Sequence, residues 1–161
     1  MRSVAVLEDR DGQVTTLIRD GLMAGERDGC VVITRGEQLD SFSGAYDLFV
    51  VAHSGLERLS SPPDICCRAL LVPGNVPGQT IAGIRSKWVV SYGLSGKDSI
   101  TMSSLEKNAA VLALQRELMT LQDEVIERQE LPIHLPVGRD SEESMAAYGS
   151  LLLLGVIPVL S

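Results

Sequence analysis

A chain of 161 residues, 45% hydrophobic and 22% charged, has an ordinary globular composition and the length of one domain rather than two. Its formal net charge of −7 opposes nucleic acid and anionic membrane as partners, because both are held by clustered Lys and Arg. Met1-Arg2 runs straight into a strand pattern with no apolar leader behind it, and the late apolar run from Leu151 is broken at Gly155 and Pro158. Neither a signal peptide nor a membrane span is expected, and a cytoplasmic protein is.

Val4 to Leu7 reads as a short buried strand, Glu8 to Gly12 as its turn, and Val14, Leu17, Ile18 and Leu22 as one face of a helix that stops before Gly25. Val31 to Thr34 is a second strand, and Gly36 to Ser43 holds at most a short helix. Leu48 to Ala52, introduced by Tyr46-Asp47, is a third strand, apolar on both faces as strands of parallel sheets are. Pro62-Pro63 closes a loop, Ala69 to Val72 is a fourth strand ending at Pro73-Gly74, a helical turn covers Gln79 to Ile84, and Trp88 to Tyr92 is the fifth strand. The expected fold class is therefore α/β: a small, mostly parallel doubly wound sheet over residues 1–93, with shortened crossovers.

At Gly93 the pattern changes, and a backbone conformation that resists β-branched residues is expected there. Ile100 and Met102 alternate with polar neighbours, as do Leu131, Ile133 and Leu135, which favours an antiparallel β meander. Val111, Leu114, Leu118, Leu121 and Val125 also fit a heptad, so 109–130 is open between a hairpin and an amphipathic helix. The end is a helix: Asp140 or Ser141 caps it, Glu142 and Glu143 suit its first turn, Met145 to Leu154 carries apolar residues, and Gly155 stops it. The whole, 1–161, is read as a single domain in two halves, 1–93 and 94–161.

Three cysteines, Cys30, Cys66 and Cys67, lack zinc or disulfide spacing, and His53 and His134 lack a helically spaced partner, so structural roles are expected for all five. Gly96-Lys97 after a strand invites comparison with a phosphate loop. The leading Gly position is occupied by Ser91, however, and the Ser/Thr position by Asp98. Ser95-Gly96-Lys97-Asp98-Ser99 is similar to the S-G-G-x-D-S loop of ATP pyrophosphatases but is one Gly short. Glu8-Asp9 after the first strand, with Tyr46 to Val51 as the third, resembles a response-regulator receiver domain. Its acceptor position is Ala52, and aspartyl phosphorylation needs a carboxylate there.

Tyr92-Gly93, Leu135-Pro136-Val137-Gly138, Ala146-Ala147 and Gly155-Val156-Ile157 follow one another in a recognisable order. Over residues 88–157 this order resembles the later part of the central ATP-binding domain of Mur ligases, the peptidoglycan-precursor amino-acid ligases. The family's His-Asn-x-x-Asn segment is replaced by Arg139, Asp140 and Glu143, and Asp9 to Gln13 offers one Gly and no Lys for a phosphate loop. The resemblance thus implies architecture without ligase activity, and no cofactor.

Two function classes follow. One is a non-catalytic, Mur-ligase-like binding or regulatory module. The other is a small ligand- or metal-binding enzyme that uses the carboxyl ends of its parallel strands, where Glu8, Asp9, His53, Ser54, Asn75 and the loop Gly93, Ser95, Gly96, Lys97 and Asp98 would converge. A protein partner or self-association is expected through the C-terminal helix and tail, because four consecutive leucines sweep round a helix and require burial on more than one side. The alternative is a tail folded back on the sheet as an edge strand.

Overall fold

The computed structural model describes residues 1–58, 64–135 and 140–157. Pro62-Pro63, Pro136 to Arg139 and the tail from Pro158 lie outside them, so the proline loop, most of the Leu-Pro-x-Gly segment and the folded-back tail are not described. Among the described residues the strands are β1 (Arg2–Leu7), β2 (Val31–Gly36), β3 (Gly44–Val51), β4 (Ile65–Pro73), β5 (Ile84–Tyr92), β6 (Ile100–Leu105), β7 (Ala109–Leu114), β8 (Leu118–Met119), β9 (Val125–Ile126) and β10 (Gln129–His134). The helices are α1 (Gln13–Ala24), α2 (Gly78–Ile81) and α3 (Ser141–Leu153).

The main sheet runs β10-β7-β6-β5-β4-β3-β1-β2, with β8 and β9 forming a separate antiparallel hairpin. The pairings from β2 to β5 are parallel, β5 meets β6 in parallel at Tyr92 and Ile100, and β6, β7 and β10 are antiparallel. This is the expected doubly wound sheet continuing into a meander and a closing helix. It also resolves 109–130 as strands. Leu112 and Leu114 are buried on β7, and the heptad's Val125 is half exposed, so the leucine spacing reflects strand alternation and a hairpin rather than a helical stripe.

Strand alternation sends Val4 and Val6 to one core and Ala5 and Leu7 to the other. The first core is roofed by α1 and α3 lying side by side. The second is covered by short crossovers, through Leu39, Phe42, Leu56 and Ile81, with Phe42, Tyr46 and Phe49 packed edge to face. Within the parallel part the strand order β2-β1-β3-β4-β5 reverses between β1 and β3, and open α/β sheets take ligands in the crevice at such a point.

Helix α3 corrects the ground on which self-association was expected. Met145, Ala146, Ala147 and Leu151 to Leu154 are all buried within the chain. Gly149 lets the helix sit on the sheet, since a Cβ there would lie 2.9 Å from the Ile100 side chain, and Gly21 of α1 leaves room for Leu151. The third side is closed by the β8–β9 hairpin: Leu121 N–H donates to the Leu153 carbonyl, and Gln122 Nε2 to that of Leu154. Gly155, at φ 84°, ends the helix in a Schellman turn, with Val156 N–H on the Leu151 carbonyl. A helix apolar all round is thus consumed by one sheet, one helix and one hairpin of the same chain.

Gly93 is a second correction. Its φ is not in the left-handed region, which among the described glycines holds only Gly12, Gly44 and Gly155. The position demands Gly for another reason: a Cβ would come 2.5 Å from Oδ2 of Asp98.

Candidate functional site

The residues expected to converge at the carboxyl ends of the parallel strands fall into three separate arrangements. The first is a buried structural node around Glu8, which is fully inaccessible. Its Oε1 accepts from Val14 N–H at 3.0 Å, its Oε2 accepts from the Thr15 hydroxyl, and Arg35 Nε lies 3.2 Å from Oε2. Because Gly12 at the N-cap of α1 has no side chain to cap with, the carboxylate from the strand end takes over that role and also faces the positive end of the helix. Arg35 also donates to the Asp9 carbonyl. Glu8 therefore holds β1, α1 and β2 together, and its oxygens are occupied.

The second arrangement lies at the switch point and joins the ends of β1 and β3 to the first turn of α3. Asp9 N–H donates to Ser54 Oγ at 3.2 Å, and Ser54 donates through its N–H and hydroxyl to the two oxygens of Glu143, at 3.1 and 3.2 Å. Beside it, His53 Nδ1 sits 2.5 Å from Glu142 Oε2. Asp140 caps α3, accepting from Glu142 and Glu143 N–H, and so fixes both glutamates in the first turn. A cleft of about 620 Å³ opens in front, lined by Asp9, Gln38, His53, Ser54, Leu56, Glu57 and Arg58.

Burial raises the Glu143 carboxyl above its usual range; the Ser54 hydrogen bonds oppose the shift, and the charges of Asp140 and Glu8 add to it. An acid whose folded value is raised stabilises the fold most when protonated. That contribution is complete below the ordinary carboxylate range and is lost as pH rises through the folded value. Glu143→Gln is therefore expected to flatten the fall in melting temperature between mildly acidic and neutral pH. Parallel slopes for the two proteins across that window would show that Glu143 titrates normally.

The third arrangement is the loop after β5. Asp98 is only 5% exposed, its Oδ2 accepts from Ser95 N–H at 3.1 Å, and Oδ1 presses on Gly74, where a Cβ would lie 1.7 Å away. Gln115 Nε2 holds the Asp98 carbonyl. This carboxylate borders a cleft of about 290 Å³ lined by Pro73, Gly74, Asn75, Tyr92, Gly93, Leu94, Ser95, Asp98 and Glu142. The Tyr92 hydroxyl is buried and donates to the Val51 carbonyl; burial, followed by the charges of Glu143, Glu142 and Asp140, raises it well above its ordinary value.

Of the residues expected at a common site, Asp9, His53 and Ser54 meet at one cleft, and Asn75, Gly93, Ser95 and Asp98 at the other. Glu8 reaches neither. Gly96 and Lys97 are exposed and line neither, so Lys97 is not aimed where a phosphate-loop lysine would be. Glu142 and Glu143, expected only to complement the helix dipole, prove to bridge α3 to the strand ends. Arg35 and Thr15 were missed as well, because nothing in their local spacing refers to Glu8. Among the described residues no three His, Cys, Asp or Glu side chains come together as metal ligands. Cys67 lies at the opposite end of the strands, where burial and then Cys66 push its thiol up to about 12, an inert value. No family model matches the chain, and neither a curated protein nor a solved structure does.

Proposed function

We propose that the chain is a non-catalytic binding or regulatory module whose second half keeps a Mur-ligase-like architecture without the nucleotide apparatus. One observation carries this reading: the side chains at the strand ends that resemble catalytic or phosphate-binding groups are committed to the fold. Glu8 caps α1 and Ser54 is held between Asp9 and Glu143, whereas Lys97 is exposed and lines neither cleft. The Ser54 hydroxyl donates to Glu143 on α3 while its oxygen accepts from Asp9 N–H after β1, so it ties two elements of the fold together.

The expected result is no magnesium-dependent ATP turnover and no change in melting temperature with magnesium and ATP together. Turnover that disappears in Lys97→Ala would overturn the module and favour a small enzyme. That second reading draws on the buried, raised Glu143 at the switch-point crevice, the kind of environment in which general acids occur.

A further inference from the structure

We propose that the cleft at the ends of β4 and β5 binds a small organic cation, an ammonium or guanidinium group, with Asp98 as its main counter-charge and Glu142 as the second. The assignment rests on the binding-module reading and names the ligand class of one of its clefts. Asp98 carries the argument. It is nine-tenths buried, yet among the described residues no Lys, Arg or His pairs with it and only Oδ2 receives a hydrogen bond, from Ser95. Oδ1 has no protein donor among the described residues and is not sealed in the interior, so it opens to the cleft that Asp98 lines, where a cation can meet it.

The surroundings make room for this charge. A Cβ at Gly74 would lie 1.7 Å from Oδ1, and one at Gly93 would lie 2.5 Å from Oδ2, so glycines at both strand ends let the carboxylate reach the mouth of the cleft. The structural duties of the loop do not require the charge. Gln115 and Arg116 hold it through the carbonyls of Ser95, Asp98 and Lys97, while the Asp98 side chain contributes one acceptor to Ser95.

The rest of the lining fits the same ligand class. Glu142, whose Oε2 also meets His53 Nδ1, lines the same cleft, Asn75 adds an amide, Tyr92, Leu94 and Pro73 give apolar wall, and no described Lys or Arg lines it. After burial, the charges of Glu143, Glu142 and Asp140 raise the Tyr92 hydroxyl on its wall, so these acids lie within electrostatic reach of the cleft. Two carboxylates with an amide are too few oxygen ligands for a dedicated calcium site, and among the described residues no three-ligand cluster exists, which favours an organic cation over a metal. At about 290 Å³ the cleft suits a group the size of an alkylguanidine or short amine.

The test is titration of the full chain with agmatine, followed by amide shifts at Gly74, Gly93 and Ser95, with urea as the neutral counterpart and magnesium chloride as the inorganic cation. Saturable shifts with agmatine alone are expected, weakened about tenfold or more in Asp98→Asn, which keeps an acceptor for Ser95 N–H while removing the charge. Glu142→Gln should weaken them less. No saturable shift in the wild-type protein overturns the assignment whether or not Asp98→Asn folds. Equal shifts with urea or magnesium chloride overturn it in favour of a neutral or metal ligand. ATP turnover measured on the same samples separates the two proposals: absent turnover and absent shifts defeat the cation cleft alone, while turnover defeats the module reading on which it rests.

Discussion

Glu8→Ala is expected to lower the stability of the protein by about 3 kcal/mol, with Glu8→Gln losing roughly half as much. Truncation orphans Val14 N–H and the Thr15 hydroxyl inside the protein, removes the carboxylate that caps the first turn of α1, and leaves Arg35, about one third exposed, without its partner. Each lost buried partner costs about 1–3 kcal/mol, and partial solvation of Arg35 keeps the total below the sum. The amide of Gln still accepts from Val14, which is why its loss is smaller. Urea denaturation of the three proteins gives the comparison. A change under about 1 kcal/mol for Glu8→Ala, the size of an ordinary surface substitution, would mean that the carboxylate is dispensable to the fold and available to a ligand.

Leu152→Ala is expected to cost about 2–5 kcal/mol, the range for emptying a packed leucine site, because Leu152 is fully buried in the last turn of α3. The dependence on concentration is the sharper part of this prediction. If the chain's own sheet, α1 and hairpin bury the helix, the midpoint falls by the same amount at every protein concentration. A helix buried instead against a second copy would give a midpoint that rises with concentration in the wild-type protein and loses that dependence in the variant. Thermal melts over a wide concentration range, with sedimentation of the same samples, decide between them.

Both predictions concern groups whose importance arises across long sequence separations, and this marks the boundary between what local pattern reveals and what it conceals. The parallel strands were legible because two-sided burial writes continuous apolar runs such as Leu48 to Ala52 and Ala69 to Val72. Helix α3 was legible because capping is local: Asp140 and the following glutamates sit within three residues of one another. The meander was ambiguous because 109–130 satisfies two periodicities at once, and only pairing of β7 with both β6 and β10 chooses between them.

The site was less legible than the fold. Sequence placed Asp9, His53, Ser54, Asn75 and the loop after β5 at the strand ends, since position along a doubly wound sheet determines that much. It gave no means of telling a committed carboxylate from a free one. Glu8 and Asp98 are both acids beside a glycine-containing turn, yet one is held by Val14, Thr15 and Arg35, while the other accepts from Ser95 and faces a cleft. The partners of the first are 6, 7 and 27 residues away, and those of Ser54 are 45 and 89 residues away. Sequence by itself determined the parallel strands, α1 and α3, because hydrophobic period and capping act within a few residues, but left the type of 109–130 open. Tertiary structure alone decided which carboxylates are occupied, where α3 is buried and why Gly93 is a glycine, because each depends on atoms that only folding brings within a few ångströms.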